Sequence, residues 1–297
     1  MEANKVSRFL RCLEAERGLS PTTIRAYRLD LERGLIPFLR QRGKFNTGEI
    51  TKDDVRAYLD YLATCKSNSN ATRARKLAAV KSFFNYLVEN EGLEINPAAS
   101  IRSPKIPEKE PVYLTEEECI CLLEAIARKG KPKVRERDMA MTVLFLHTGL
   151  RVSELTNLKL VNVDLDGGQI KITRKGNKEQ YLHLNGETVS MLARYLAKRP
   201  QARNGSVFVK ANGNNLSRSY VYGLVRRYMK LAGINKGKYG AHLLRHTFCT
   251  RLHQKGVDPF IIKELAGHKS INTTMRYVKI ENKEQAEAID RLEFRIL

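Results

Sequence analysis

Four prolines fall within INPAASIRSPKIPEKEP, residues 95–111, and no apolar periodicity runs through that stretch. Proline fixes φ, lacks an N–H and pushes the residue before it out of the helical region, so the segment can be neither a helix interior nor a central strand. It reads as an interdomain linker. The chain of 297 residues is thereby divided into a front part, 1–94, and a rear part, 112–297, each long enough to bury a core of its own.

The front part reads as helices separated by short polar breaks. Ser20 is placed as an N-cap with Pro21 at the first helical position, opening a long helix that carries Ile24, Tyr27, Leu31 and Leu35 on one face. Thr51 opens a second helix with Val55, Tyr58, Leu59 and Leu62, and Asn70 a third with Leu77, Val80, Phe83, Phe84 and Leu87. On the third, Arg73, Arg75, Lys76 and Lys81 can line a phosphate backbone or be a solvated face, and the pattern does not choose between them.

In the rear part Thr115 and Glu118 form a capping box before an apolar helix, and another helix covers about 133–148. Asp164, Asp166, Gly167 and Gly168 make a turn into the alternating QIKITR, and Arg174-Lys-Gly-Asn-Lys turns the chain back into EQYLHL, a hairpin. Helices follow over Glu187 to Lys198, Arg218 to Leu231, His242 to Lys255, Pro259 to Leu265, Asn272 to Val278 and Asn282 to Phe294. The expected fold is mainly α with a small antiparallel β-sheet.

Charge narrows the partner. Fifty-three Lys and Arg against 32 Asp and Glu leave a formal charge of +21, and residues 201–250 carry nine basic residues with no acid. Such a surface attracts a polyanion, so nucleic acid is the expected partner. Five cysteines without a C-x-x-C pattern indicate a reduced, disulfide-free protein. The longest apolar stretch, around Met139 to Leu146, is far shorter than a membrane span, and the polar start MEANKVSRFL has no signal-peptide core, so a cytoplasmic location is expected.

No Walker A loop and no dinucleotide-type glycine fingerprint occur. Breaking a DNA backbone without metal or cofactor needs a nucleophile, cations around the pentavalent phosphate and an acid for the departing 5′ oxygen. Arginine suits the second task, because its planar fork bonds two nonbridging oxygens and stays charged. Arg151, in HTGLRVSEL, sits at a helix junction after Gly149. Arg245, in AHLLRHTFCT, lies three residues from His242, so imidazole and guanidinium share a helix face. Taken singly, Arg151 could equally pair with a local acid and His242 be a satisfied, partly buried histidine. His242 and His246 have the spacing of a helical zinc pair, but no Glu follows His242, and no metal is expected.

Together these segments resemble the tyrosine recombinase, or phage integrase, family, and within it the Xer-like members. TGLRVSEL resembles the first arginine box, RKGNKEQYLHL the lysine hairpin, AHLLRHTFCT the His-x-x-Arg box and ELAGHKSINTTMRYVKI the box of the second histidine and the tyrosine. RGLSPTTIRAYRLDL and the linker look like core-binding and junction segments, so the likeness spans nearly the whole chain. It implies Tyr277 as nucleophile, Arg151 and Arg245 as phosphate clamps, Lys175 as leaving-group acid, His242 and His268 as supporting groups and Glu154 as an auxiliary acid. Lys178 stands close enough to Lys175 to compete for that role. The sequence departs from the family at Arg174, which stands where glycine is usual, at Ala266 for leucine and at Cys249 for alanine.

The resemblance further implies a two-domain clamp: a helical core-binding domain over 1–94, the 95–111 linker and a catalytic domain over 112–297. No cofactor is implied. The partner would be double-stranded DNA with inverted-repeat half-sites, bound by two protomers per site and four in a synapse, homo- or heterotetrameric on DNA and monomeric in solution, with a DNA translocase or accessory protein as a further partner. The apolar stripe Ala288, Ile289, Leu292, Ile296 and Leu297 could dock on a neighbouring protomer. A chain that opens on the core-binding helices favours an Xer-like role in chromosome or plasmid dimer resolution. A mobile-element integrase, a type IB topoisomerase and a DNA-binding regulator without chemistry remain the rivals.

Overall fold

The computed structural model describes residues 2–107, 111–174, 177–202, 205–237 and 239–278. The chain forms two compact units that divide at residue 108. It is mostly helical with one small antiparallel sheet, as the sequence pattern requires.

The first unit contains α1 (Glu2–Ala15), α2 (Pro21–Asp30), α3 (Ile36–Gln41), α4 (Lys52–Thr64) and α5 (Asn70–Asn90). The starts follow local chemistry. Ser20 accepts from the Thr23 N–H with Pro21 at the first position, and Thr51 and Asp54 cap α4 reciprocally. Apolar stripes on these helices converge on a core of Phe9, Leu13, Leu31, Leu35, Tyr58, Phe83 and Phe84. Between α2 and α3 the backbone runs through a π-turn, Leu31–Leu35, where one continuous helix was expected. Gly34 lies within it, and a side-chain carbon there would stand 2.5 Å from the Tyr58 hydroxyl, so the turn brings backbone against a fully buried tyrosine.

The basic residues of α5 are largely engaged within the unit. Arg75 and Lys76 both reach the buried carboxylate of Asp30, Arg73 bonds Asn70 and Lys81 bonds the Ala99 carbonyl. Arg75 and Lys76 therefore neutralise an interior acid, which favours the structural reading of that face.

The second unit contains α6 (Glu116–Lys129), α7 (Arg135–Thr148), α8 (Val152–Asn157), β1 (Val163–Asp164), β2 (Gln169–Arg174), β3 (Lys178–His183), α9 (Gly186–Ala197), α10 (Arg218–Leu231), α11 (Ala241–Gln254), α12 (Pro259–Ala266) and α13 (Ile271–Met275). The strands pair antiparallel in sequence order, with Ile170 opposite Leu182 and Arg174 opposite Lys178. The Asp164 carboxylate accepts from the Gly167 N–H at 2.8 Å, and Gly168 takes φ +59°, which makes the turn into β2. α7 is buried along most of its length and stops at Gly149, φ +60°, where a side chain would collide with the Phe248 ring. That close approach holds α11 against the end of α7, and so sets Arg245 beside the Arg151 junction.

Far from that junction, Asp138 is fully buried. It accepts from the Arg137 guanidinium at 2.6 Å and from the Tyr228 hydroxyl at 2.8 Å, and Arg137 also donates to the Val209 carbonyl. Removing one partner leaves an uncompensated interior charge, so Asp138→Ala should destabilise this unit by about 3–5 kcal/mol, whereas Glu32→Ala, which breaks only the exposed Arg28 pair, should cost about 0.5 kcal/mol or less. Urea denaturation of both variants checks the contrast.

Candidate active site

α12 is capped at its start by Asp258 and Pro259 and ends at Gly267, φ +63°. A helix end leaves its last carbonyls without N–H partners and carries partial negative charge. Three guanidinium groups supply those partners. Arg174 donates to the Leu265 and Ala266 carbonyls, both at 2.7 Å, Arg245 to Ala266 at 2.5 Å and Arg151 to Gly267 at 2.7 Å. Arg245 also donates to the Gly149 carbonyl at 2.6 Å, which ties the end of α7 to the end of α12.

Glu154 on α8 bridges two of the three. Its carboxylate accepts from the Arg151 side chain and backbone N–H, each at 2.8 Å, and lies 3.6 Å from Arg174. Three guanidiniums against this carboxylate leave an excess of positive charge. Arg245 is 4% exposed, and burial, then the neighbouring Arg151 charge, pull its pKa down to about 10. Arg174 is held below its ordinary value as well, first by burial. A cationic excess in a dry place is the unfavourable half of an ion pair, and an anion from outside completes it.

The histidines and the tyrosine lie beside this cluster. α13 is capped by Ser270 and ends at Met275, and Tyr277 sits in the turn that follows, packed against Phe248, Cys249, Ile262 and Ala266. Its hydroxyl lies 2.5 Å from His246 Nδ1. Burial, then the Cys249 thiol, push the phenol pKa well above its ordinary value, against the pull of Arg245 and Arg276. The same packing pushes the Cys249 thiol up to about 11. His268 stacks near-parallel on Tyr277, ring centres 6.2 Å apart, with Nδ1 on the Thr274 hydroxyl at 2.8 Å. Its pKa falls to about 4 through burial, then the charges of Arg245 and Arg151. His242 is open to solvent and stacks on His246 at 6.1 Å. Partial desolvation, then Arg245 and Arg151, lower its pKa. The His268 ring is therefore neutral at pH 7 and can accept as well as donate.

Of the residues singled out from the sequence, Arg151, Glu154, His242, Arg245, His268 and Tyr277 come together in this one neighbourhood. Lys175 lies outside the described residues, as does the C-terminal stripe from Ala288 to Leu297. Lys178, its competitor, is exposed at the start of β3. Among the described residues no group of three His, Cys, Asp or Glu is placed to hold a metal, and the second ring of the supposed zinc pair, His246, instead faces Tyr277.

Three further residues join the site without having been given a role in it. Arg174, noted only for standing where the family has glycine, is drawn inward, where it also bonds Gln180, whose amide in turn bonds Glu264 O. His246, noted only for its zinc-like spacing, lies one turn beyond His242 on the same face and reaches Tyr277. Cys249, three residues beyond His246, shares its face toward Tyr277.

Residues 112–284 match the Phage integrase family, and residues 6–91 match its N-terminal SAM-like domain. The chain is 32% identical to the tyrosine recombinase XerC of Caldanaerobacter subterraneus subsp. tengcongensis, over 98% of this chain and 88% of that protein. It is 34% identical to the tyrosine recombinase XerC of Thermodesulfovibrio yellowstonii, over 96% and 95% respectively. Among solved structures it is similar to the XerH site-specific recombinase bound to its difH substrate in a pre-cleavage complex, with 27% identity, a TM-score of 0.77 and coverage of 97% of this chain and 85% of that one.

The depressed His268 pKa has a consequence for stability. Between about pH 4 and the unfolded value near 6.5 the unfolded state binds more protons, so stability rises with pH in that window and is lost as pH falls through it. His268→Asn, which keeps an amide near the Nδ1 position, should flatten this limb by on the order of 2 kcal/mol. Urea midpoints of both proteins from pH 4 to 7 measure it.

Proposed function

The chain belongs to the phage integrase family, and from that premise we propose that it is an Xer-like site-specific DNA recombinase whose nucleophile is Tyr277. The observation that carries this reading is the Tyr277 hydroxyl hydrogen-bonded to His246 of α11, the same helix whose Arg245 bonds the end of α12 beside Arg151. A phosphodiester is the anion that such a cationic pair fits.

In this reading Arg151 and Arg245 keep their backbone carbonyls and turn further N–H donors, of which each guanidinium has five, to the nonbridging oxygens of one phosphate. His242 and His268 add hydrogen bonds to the same group, while Glu154 keeps Arg151 oriented. The Tyr277 oxygen attacks phosphorus, its proton leaves, and the 5′ oxygen departs with a proton from Lys175. The 3′-phosphotyrosine conserves the energy of the broken bond. Attack by a 5′ hydroxyl of another strand reverses the step and rejoins DNA without ATP, first to a Holliday junction and then to products.

The helical unit, 1–94, is assigned to core binding on duplex DNA, 95–111 to the linker and 112–297 to catalysis. Two protomers on inverted half-sites and four in the synapse follow from strand exchange. The relatives named tyrosine recombinase XerC, similar over nearly their full length, support an Xer-like recombinase, and dimer resolution in the cytoplasm is the setting proposed for it. None of the described helices is long and apolar enough to cross a membrane.

The test uses a duplex recovered by binding selection from a random pool, nicked so that the released fragment diffuses away, in metal-free buffer. Wild type should form a 3′-linked covalent adduct on a denaturing gel and Tyr277→Phe none. Arg245→Lys should bind the duplex and form adduct about 100-fold more slowly. If wild type binds the duplex without forming any adduct, the protein is a DNA-binding regulator.

A further inference from the structure

We propose that His246 is a catalytic residue of this site: the base that takes the Tyr277 proton as the phenol attacks and returns it when the strand is rejoined. The inference rests on the recombinase reading above. Neither the family motifs nor the sequence pattern gives His246 a role.

Geometry singles it out. A phenol in an apolar packing environment loses its proton only to an acceptor already in place. The Tyr277 hydroxyl has His246 Nδ1 at 2.5 Å, and with the ring proton on Nε2 that nitrogen accepts from the phenol. The other candidates are occupied or unsuited. His268 lies parallel to the tyrosine ring with Nδ1 on Thr274, and the Cys249 thiol is held in its protonated form by burial. His242 stacks on His246 and is one ring further from the phenol.

The neighbours of His246 leave a part for the anion to play. His242 on the same helix stacks on its ring, the Tyr277 hydroxyl bonds Nδ1, and His268 stands close enough to feel its charge. A bound phosphate, and still more the phosphorane with its added negative charge, stabilises a cation beside it, so the base gains strength as the transition state forms.

The proton balance closes. The O–H bond of Tyr277 breaks toward Nδ1, the bond from the phenol oxygen to phosphorus forms, the bond from phosphorus to the 5′ oxygen breaks, and that oxygen takes a proton from the leaving-group acid. Rejoining runs the same transfers backward.

Two variants separate base from scaffold on the nicked duplex described above. His246→Asn places an amide acceptor near the Nδ1 position but cannot take a proton, and His246→Ala removes both functions. Both should bind the duplex as wild type does and form the Tyr277 adduct about 100-fold more slowly. Added imidazoles should restore His246→Ala, more so as their basicity rises. Adduct formation by His246→Asn within a few-fold of wild type, or an unchanged rate for His246→Ala across the imidazole series, would overturn the assignment. Tyr277→Phe run in parallel keeps the two readings apart: an adduct in that variant sinks the nucleophile, whereas a normal rate in His246→Asn sinks only the base.

Discussion

Three arginines from three elements, Arg151 before α8, Arg174 at the end of β2 and Arg245 within α11, all bond the terminal carbonyls of α12. A single helix end thus becomes the hub on which a strand, a helix junction and the His-x-x-Arg helix are registered. Those bonds are charge-assisted and the cluster is mostly buried, so each is stronger than a neutral pair at the surface. Gly267 can only be glycine for the same reason, since a side chain there would collide with the Arg174 guanidinium. His268 and the α13 segment follow directly, and Tyr277 is therefore held in position by the same carbonyls that hold the cations.

The cluster is also electrostatically incomplete. Glu154 neutralises part of it, and burial leaves Arg245 and Arg174 weakened as bases rather than relaxed. Burial, then the same positive field, holds the pKa values of His268 and His242 below the ordinary imidazole value. Packing against Cys249, Phe248 and Ile262 keeps the phenol protonated. Without an anion every group is therefore in its uncharged or poorly compensated form, and a phosphate changes the balance for all of them at once.

Much of this was readable in the sequence because local rules governed it. Ser20 with Pro21, the Thr115–Glu118 box and the Gly149 stop are each decided within a few residues, and they appear as expected. The π-turn at Leu31–Leu35 was not, because apolar residues four apart fit either a regular helix or one with an inserted residue. Neither was the role of Arg75 and Lys76, whose carboxylate, Asp30, lies 45 positions from Arg75 in the chain. In the site, the His242–Arg245 face followed from helical spacing, whereas Tyr277 is one of twelve tyrosines and needed the family motif. His246 and Arg174 were hidden by tertiary geometry. The spacing of His246 pairs it with His242 but says nothing of Tyr277, 31 positions away, and Arg174 folds inward from the end of β2 onto carbonyls 91 and 92 positions along the chain.

The central claim is that the guanidiniums at the end of α12 are preorganised to receive one phosphodiester in front of Tyr277. A structure of the Tyr277→Phe protein bound to a selected duplex tests it most directly. The account predicts a single phosphate whose nonbridging oxygens are bonded by Arg151 and Arg245, with the phenylalanine ring edge facing its phosphorus. A duplex that runs across the protein with no phosphate on either arginine would contradict it.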